Sequence, residues 1–219
     1  MSERIRIRRV CLCIGPAGVP ERVLQTIVRL AGRVGAELEG LLVKDPDLMR
    51  LAAFPFAREV SRATGDLREL DTAALDAAFE ALAGRLRAEF QRHADQLLAG
   101  WRLRVEQSRF VAPVEAVLER GSVAVLEPQG FGAAASRFGP VITLDRAPLR
   151  ELAEQIASQT GARLITVQTP SVALETARHA GASWLILPWP LEGITLGRLL
   201  VESTAAVVLV PAVTAQSRA

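Results

Sequence analysis

The chain is predicted to fold as an α/β protein, a doubly wound and mostly parallel sheet with helices on both faces. Three observations predict it. Short runs such as "VCLCI", residues 10 to 14, are apolar at every position, as in strands covered on both faces. These runs alternate with longer stretches of helical period. The alternation then starts again near residue 137, so that about eight strands and about seven helices are expected over the 219 residues.

"VCLCI" is the first strand and "GPAG" turns the chain after it. Pro20 suits a first helical position, and Val23, Leu24, Ile27, Leu30 and Val34 form one apolar stripe that stops at Gly35. "ELEGLLV" is the next strand, which completes a β-α-β unit expected to cross over with a right hand. Residues 45 to 70 break the rhythm with two prolines and an apolar cluster of Leu48, Met49, Leu51, Phe54 and Phe56, and read as a long connection, partly helical. From Asp71, a side chain suited to an N-cap, Leu75, Phe79, Leu82, Leu86, Phe90 and Leu97 lie on one side of a helix running to about Ala99. "WRLRVEQSRF" alternates as a strand, "PVEAVLER" is a short helix closed by Gly121, and "SVAVLEP" is a buried strand. After the small-residue loop "QGFGAAAS" come strand "PVITLD", helix "PLRELAEQIASQTGA", strand "RLITVQT", helix "SVALETARHAG", strand "ASWLILPW", a short helix and strand "AAVVLVP".

The two halves also agree in detail. "RVGAELEGLLV" passes from helix to strand at Gly35 as "QTGARLITVQ" does at Gly161, and the helices before them begin near Pro20 and Pro148. "AVLERGSVAVLEP" parallels "ETARHAGASWLILP", with Gly121 facing Gly181 and Pro128 facing Pro188. Residues 1 to 136 therefore read as one α/β copy carrying the long 45 to 70 connection, and 137 to 219 as a second, shorter copy without the long helix and its following strand. The copies are expected to pack as a pseudo-symmetric pair, because each alone would expose an apolar strand edge.

This order of elements resembles the universal stress protein fold, in two degenerate copies. The ending "ESTAAVVLVP" is similar to that family's closing helix and strand, and "PVITLDRAP" resembles its opening pattern, with Asp145 at the family's acidic position. In members that bind ATP, the resemblance implies an Asp after the first strand and a G-x-x-G segment after the fourth, followed by Gly-Ser or Gly-Thr. Such loops let backbone N–H groups approach phosphate without a Cβ in the way. Here the pattern is broken. Gly15 and Pro16 stand in place of the Asp in the first copy, and Gly130, Gly132 and Ser136 supply only a shortened loop. In the second copy Asp145 remains, Arg146 replaces a small residue, Pro188, Trp189 and Pro190 replace the first glycines, and only Gly193 and Gly197 survive. Each proline also removes a donor that a phosphate would use. No cofactor is expected; the alternative is ATP or AMP on Gly130, Gly132, Ser136, Asp145, Gly193 and Gly197.

Other chemistry is sparse. Glu127, Asp145 and Glu192 lie at or beyond the carboxyl ends of strands, where α/β folds assemble sites, although solvated loop carboxylates are the plainer reading. His93 and His179 sit on helices without a Ser or Cys partner at a recognisable elbow. Cys11 and Cys13, the two cysteines, read as buried thiols rather than metal ligands. Trp184 reads as core, and Trp189 as the tryptophan freer to touch a ligand or partner.

The formal charge of +2 is spread along the chain, without the basic block or aromatic interleaving of a nucleic-acid site. Lys44 is the one lysine among 26 basic residues, which with the abundant alanine suggests a GC-rich bacterial genome. No apolar run reaches the roughly 18 residues of a membrane span, and the basic start "MSERIRIRRV" lacks the apolar core of a signal peptide. The expectation is a non-enzymatic, cytoplasmic protein that acts through protein contacts, with self-association as a homodimer or a partner docking on the Phe54 and Phe56 segment. The alternatives are a nucleotide or small-ligand sensor using a surviving glycine loop, and an enzyme of the nucleotide-binding α/β group using a strand-end carboxylate.

Overall fold

A computed structural model describes residues 7–60, 65–93, 100–127 and 139–212. Strand β1 (Arg9–Ile14) is buried along almost its whole length and leads into helix α1 (Glu21–Val34). Pro20 occupies the N-cap of α1, one residue before the helical position expected of it, because its extended ψ of 139° leaves it outside the first turn. Strand β2 (Glu37–Lys44) follows.

The 45 to 70 connection holds more order than its broken pattern suggested. Asp45 caps helix α2 (Pro46–Ala52) by accepting from the Asp47 N–H at 2.8 Å. Strands β3 (Arg58–Val60) and β4 (Leu67–Glu69) then form an antiparallel hairpin that was not expected. Strands of three residues are too short to show an alternating pattern, which is why this hairpin reads as loop in the sequence.

Helix α3 (Thr72–Arg92) is capped by Asp71, which accepts from the Ala74 N–H at 2.6 Å, and it buries Phe79, Leu82, Leu86 and Phe90 as the stripe requires. It ends at His93, short of Ala99; the remainder of the expected helix, with Leu97, lies outside the described residues. Strand β5 (Trp101–Gln107), helix α4 (Val111–Glu119) and strand β6 (Val123–Leu126) complete the first half. The second half runs β7 (Val141–Leu144), α5 (Ala147–Thr160), β8 (Leu164–Val167), α6 (Pro170–His179), β9 (Trp184–Trp189), α7 (Leu196–Glu202) and β10 (Ala206–Pro211).

Eight strands form one sheet in the order β5-β2-β1-β6-β10-β9-β7-β8. All neighbours are parallel except β6 and β10, which pair antiparallel through Val207 with Leu126 and Leu209 with Ala124. Residues on either side of position 137 therefore share a single sheet. The four strands of one half point one way and the four of the other point the opposite way, so the carboxyl ends of the two sets lie on opposite edges.

The helices sort by pleat. In β2, Gly40 faces Phe90 of α3, where an added Cβ would come within 2.5 Å of the ring. Glu39 and Leu41 consequently project from the other face, together with Arg102 and Arg104, their lateral partners on β5. Helix α4 lies on that second face and packs chiefly against β6 and β10, nearer the middle of the sheet.

Candidate functional site

Doubly wound sheets bind ligands at the carboxyl ends of strands where the winding reverses. This sheet has two such points, between β1 and β6 and between β7 and β9, and they sit on opposite edges.

At the first, β1 opens into Gly15–Gly18, where Gly18 at φ 77° donates its N–H to the Gly15 carbonyl at 3.1 Å. Glu127 follows β6 and is 7% exposed. Burial pushes its carboxyl up to about 7, against the opposing pull of the Arg22 guanidinium. Gly130, Gly132 and Ser136, the remaining loop residues expected here, lie outside the described residues. A depression of about 260 Å³ opens beside this edge between the first turn of α1 and α3, lined by Gly18, Leu24, Leu82, Arg85 and Glu89 among others.

At the second point the retained Asp145 ends β7 and is half exposed, 3.5 Å from Arg150. Its neighbour Arg146 lies 3.4 Å from Glu192, so a cation stands at the mouth where a phosphate loop presents small residues. Pro188 and Trp189 continue β9 and pair with Val210 and Pro211, which makes them strand where a glycine loop would begin. Gly193 has φ 76° and turns the chain toward α7, whose N-terminal donor is taken up by its own cap, Thr195 accepting from the Arg198 N–H at 3.2 Å. Gly197 lies within α7. Asp145, Glu192 and Gly193 are thus gathered at one edge and Glu127 is at the other; the three strand-end carboxylates do not converge.

The other singled-out side chains have structural neighbours. Trp184 is buried, and Trp189 is partly buried against the core. His93 is the C-cap of α3. His179 Nδ1 lies 2.9 Å from the Glu175 carbonyl, on an exposed groove of about 560 Å³ between α6 and α7. Cys11 and Cys13 are buried with their Sγ atoms 3.9 Å apart, and the contact with Cys11, followed by burial, pushes the Cys13 thiol up. Among the described residues no group of three or more His, Cys, Asp or Glu is placed to hold a metal ion, and no helix is long and apolar enough to cross a membrane.

One charged cluster escaped the sequence reading. Glu39, 3% exposed, accepts from Arg102 at 2.9 Å and lies 3.4 Å from Arg104 and 3.8 Å from Arg9. The available signal was a glutamate inside the otherwise apolar run "LEGLLV".

No protein-family model and no curated protein matches the chain. Solved structures do. A protein of unknown function from Pseudomonas aeruginosa is 12% identical at TM-score 0.44, over 94% of this chain and 92% of that one. Another, from Lactobacillus plantarum, is 12% identical at TM-score 0.37, over 76% of this chain and 100% of that one. A third, from Archaeoglobus fulgidus, is 10% identical at TM-score 0.34, over 92% and 96%. The last two are universal stress proteins. The universal stress protein fold is also the one that the order of elements and the closing motifs of the sequence resemble.

Proposed function

We propose that the chain is a non-enzymatic, cytoplasmic protein of universal-stress type that works by protein contact through the α2 to β4 excursion. One observation carries this reading. Phe54 and Phe56 stack with ring centroids 5.5 Å apart while 50% and 78% exposed, and Leu51, Val60 and Leu67 around them are exposed as well. The five apolar residues singled out in this segment divide by role: Leu48 and Met49 pack against the core and anchor the segment, whereas Leu51 and the two rings face outward. Apolar groups left together at a surface mark an interaction site.

The double variant F54S/F56S tests this by sedimentation and thermal unfolding. The expected result is a smaller assembly than wild type with the monomer's melting nearly unchanged, since each exposed ring offers about 2 kcal/mol of burial to a partner and little to the fold. An unchanged assembly with an unchanged melt would make the segment a spacer and overturn the proposal.

The sensor reading has its own support in Asp145 and Gly193, which share the crevice between β7 and β9. Calorimetry with ATP, ADP and AMP separates the two. Weak or absent binding is expected, because Arg146 and the strand residues Pro188 and Trp189 occupy the places where backbone must approach phosphate. A dissociation constant in the low micromolar range would favour the sensor.

A further inference from the structure

We propose that the face of the sheet over β2 and β5 is a binding site for a small oxyanion of the phosphate class, held by Arg9, Arg102, Arg104 and Arg120. These four arginines and Glu39 line an opening of about 360 Å³, within the size range of small-ligand sites.

The site arises from topology. A parallel sheet normally has helices on both faces. Here α3 covers β2 and β5 on the Gly40 side, while α4 on the other side lies toward β6 and β10. The corner left over is filled by charge. Arg9 projects from β1 and Arg102 and Arg104 from β5, all toward Glu39, their shared neighbour on β2. A buried carboxylate has two oxygens, and three guanidiniums with five donors each converge on it. Glu37 takes part of Arg9 at 3.0 Å and of Arg102 at 3.5 Å, and Glu106 takes part of Arg104 at 3.2 Å. Donors still outnumber acceptors. Arg120, the C-cap of α4, forms the remaining wall and has no ion pair among the described residues.

Glu39 therefore does more than neutralise. It holds three long side chains in place, which removes much of the entropy that an anion would otherwise have to overcome to order them. Guanidinium matches the planar, bidentate demand of a phosphate oxygen pair. Four cations facing three carboxylates leave a net charge of +1, which favours an anion, whereas a neutral ligand would leave the spare donors unused. This site is separate from both strand-end crevices and from the Phe54 and Phe56 surface.

The test is titration of the full chain with inorganic pyrophosphate, followed by calorimetry and by amide shifts, for wild type, R120E and R163E. Arg163 is exposed and lies next to β8 at the opposite edge of the sheet, so R163E makes the same charge change away from the site. Saturable binding is expected in wild type, with shifts at residues 39, 102, 104 and 120. R120E should weaken it about tenfold, the scale of one charge-assisted contact, and R163E should leave it close to wild type. Thermal unfolding checks each variant, with R120Q replacing R120E if the latter does not fold. ATP should bind at the same residues no tighter than pyrophosphate, and adenosine should not bind there. No saturable binding at millimolar pyrophosphate, equal losses in R120E and R163E, or adenosine binding as tightly as ATP would each overturn the assignment.

Discussion

Gly139→Ala is expected to destabilise the protein by about 4 kcal/mol, the sum of a strong overpacking cost and the loss of buried hydrogen bonds. A Cβ at residue 139 would stand 1.9 Å from the Gly181 carbonyl oxygen and 2.7 Å from the Ser183 nitrogen. Both are backbone atoms and cannot rotate aside. The same segment is held in place by Ser183, whose hydroxyl donates to the Gly139 carbonyl at 2.7 Å and whose N–H donates to the Pro140 carbonyl at 3.0 Å. Relieving the clash means pulling residues 139 and 140 away from 181 to 183, which breaks these bonds at the point where β7 and β9 begin to pair. Urea unfolding measures the loss directly. Ser183→Ala, which removes the hydroxyl alone, should cost about 1.5 kcal/mol. A G139A midpoint equal to that of wild type would overturn this expectation.

Glu127→Gln is expected to stabilise the protein above neutral pH and to leave it nearly unchanged near pH 5. Burial raises the folded carboxyl to about 7 from the ordinary value of 4.5. The folded state thus holds a proton that the unfolded chain has released, and stability falls as pH rises. The contribution is fully present below about 4.5, declines between there and about 7, and is absent above. A shift of this size corresponds to on the order of 3 kcal/mol. Glutamine keeps the shape of the neutral acid without the titration, so the variant should lose that slope. Denaturant unfolding of both proteins at several pH values between 5 and 8.5 gives the comparison; parallel curves would mean that Glu127 titrates in the folded protein as it does in the unfolded one.

Local pattern and tertiary placement contributed unequally to what can be read of this chain. Fully apolar runs, the α1 stripe ending at Gly35, the cap at Asp71 and the second cycle after residue 137 depend on neighbours within a turn or two, and all were legible. The loss of glycines after β9 was legible too, because a proline removes a donor wherever the chain places it. The β3 to β4 hairpin was not, since two three-residue strands carry too little period to separate from loop.

By itself, then, the sequence determined an alternating α/β chain with a broken phosphate pattern and an apolar cluster from Leu48 to Phe56. Only the tertiary structure decided that β6 meets β10 antiparallel, which sends Glu127 to one edge and Asp145 and Glu192 to the other. It also decided which apolar residues anchor and which face outward. The Glu39 cluster belongs to the same class: Arg102 is 63 positions from Glu39 along the chain, and lateral pairing in the sheet brings them to 2.9 Å. Period and capping act over a few residues and are written locally, whereas strand order and the charges it juxtaposes are set by pairing and packing between segments far apart in the chain, which no local pattern encodes.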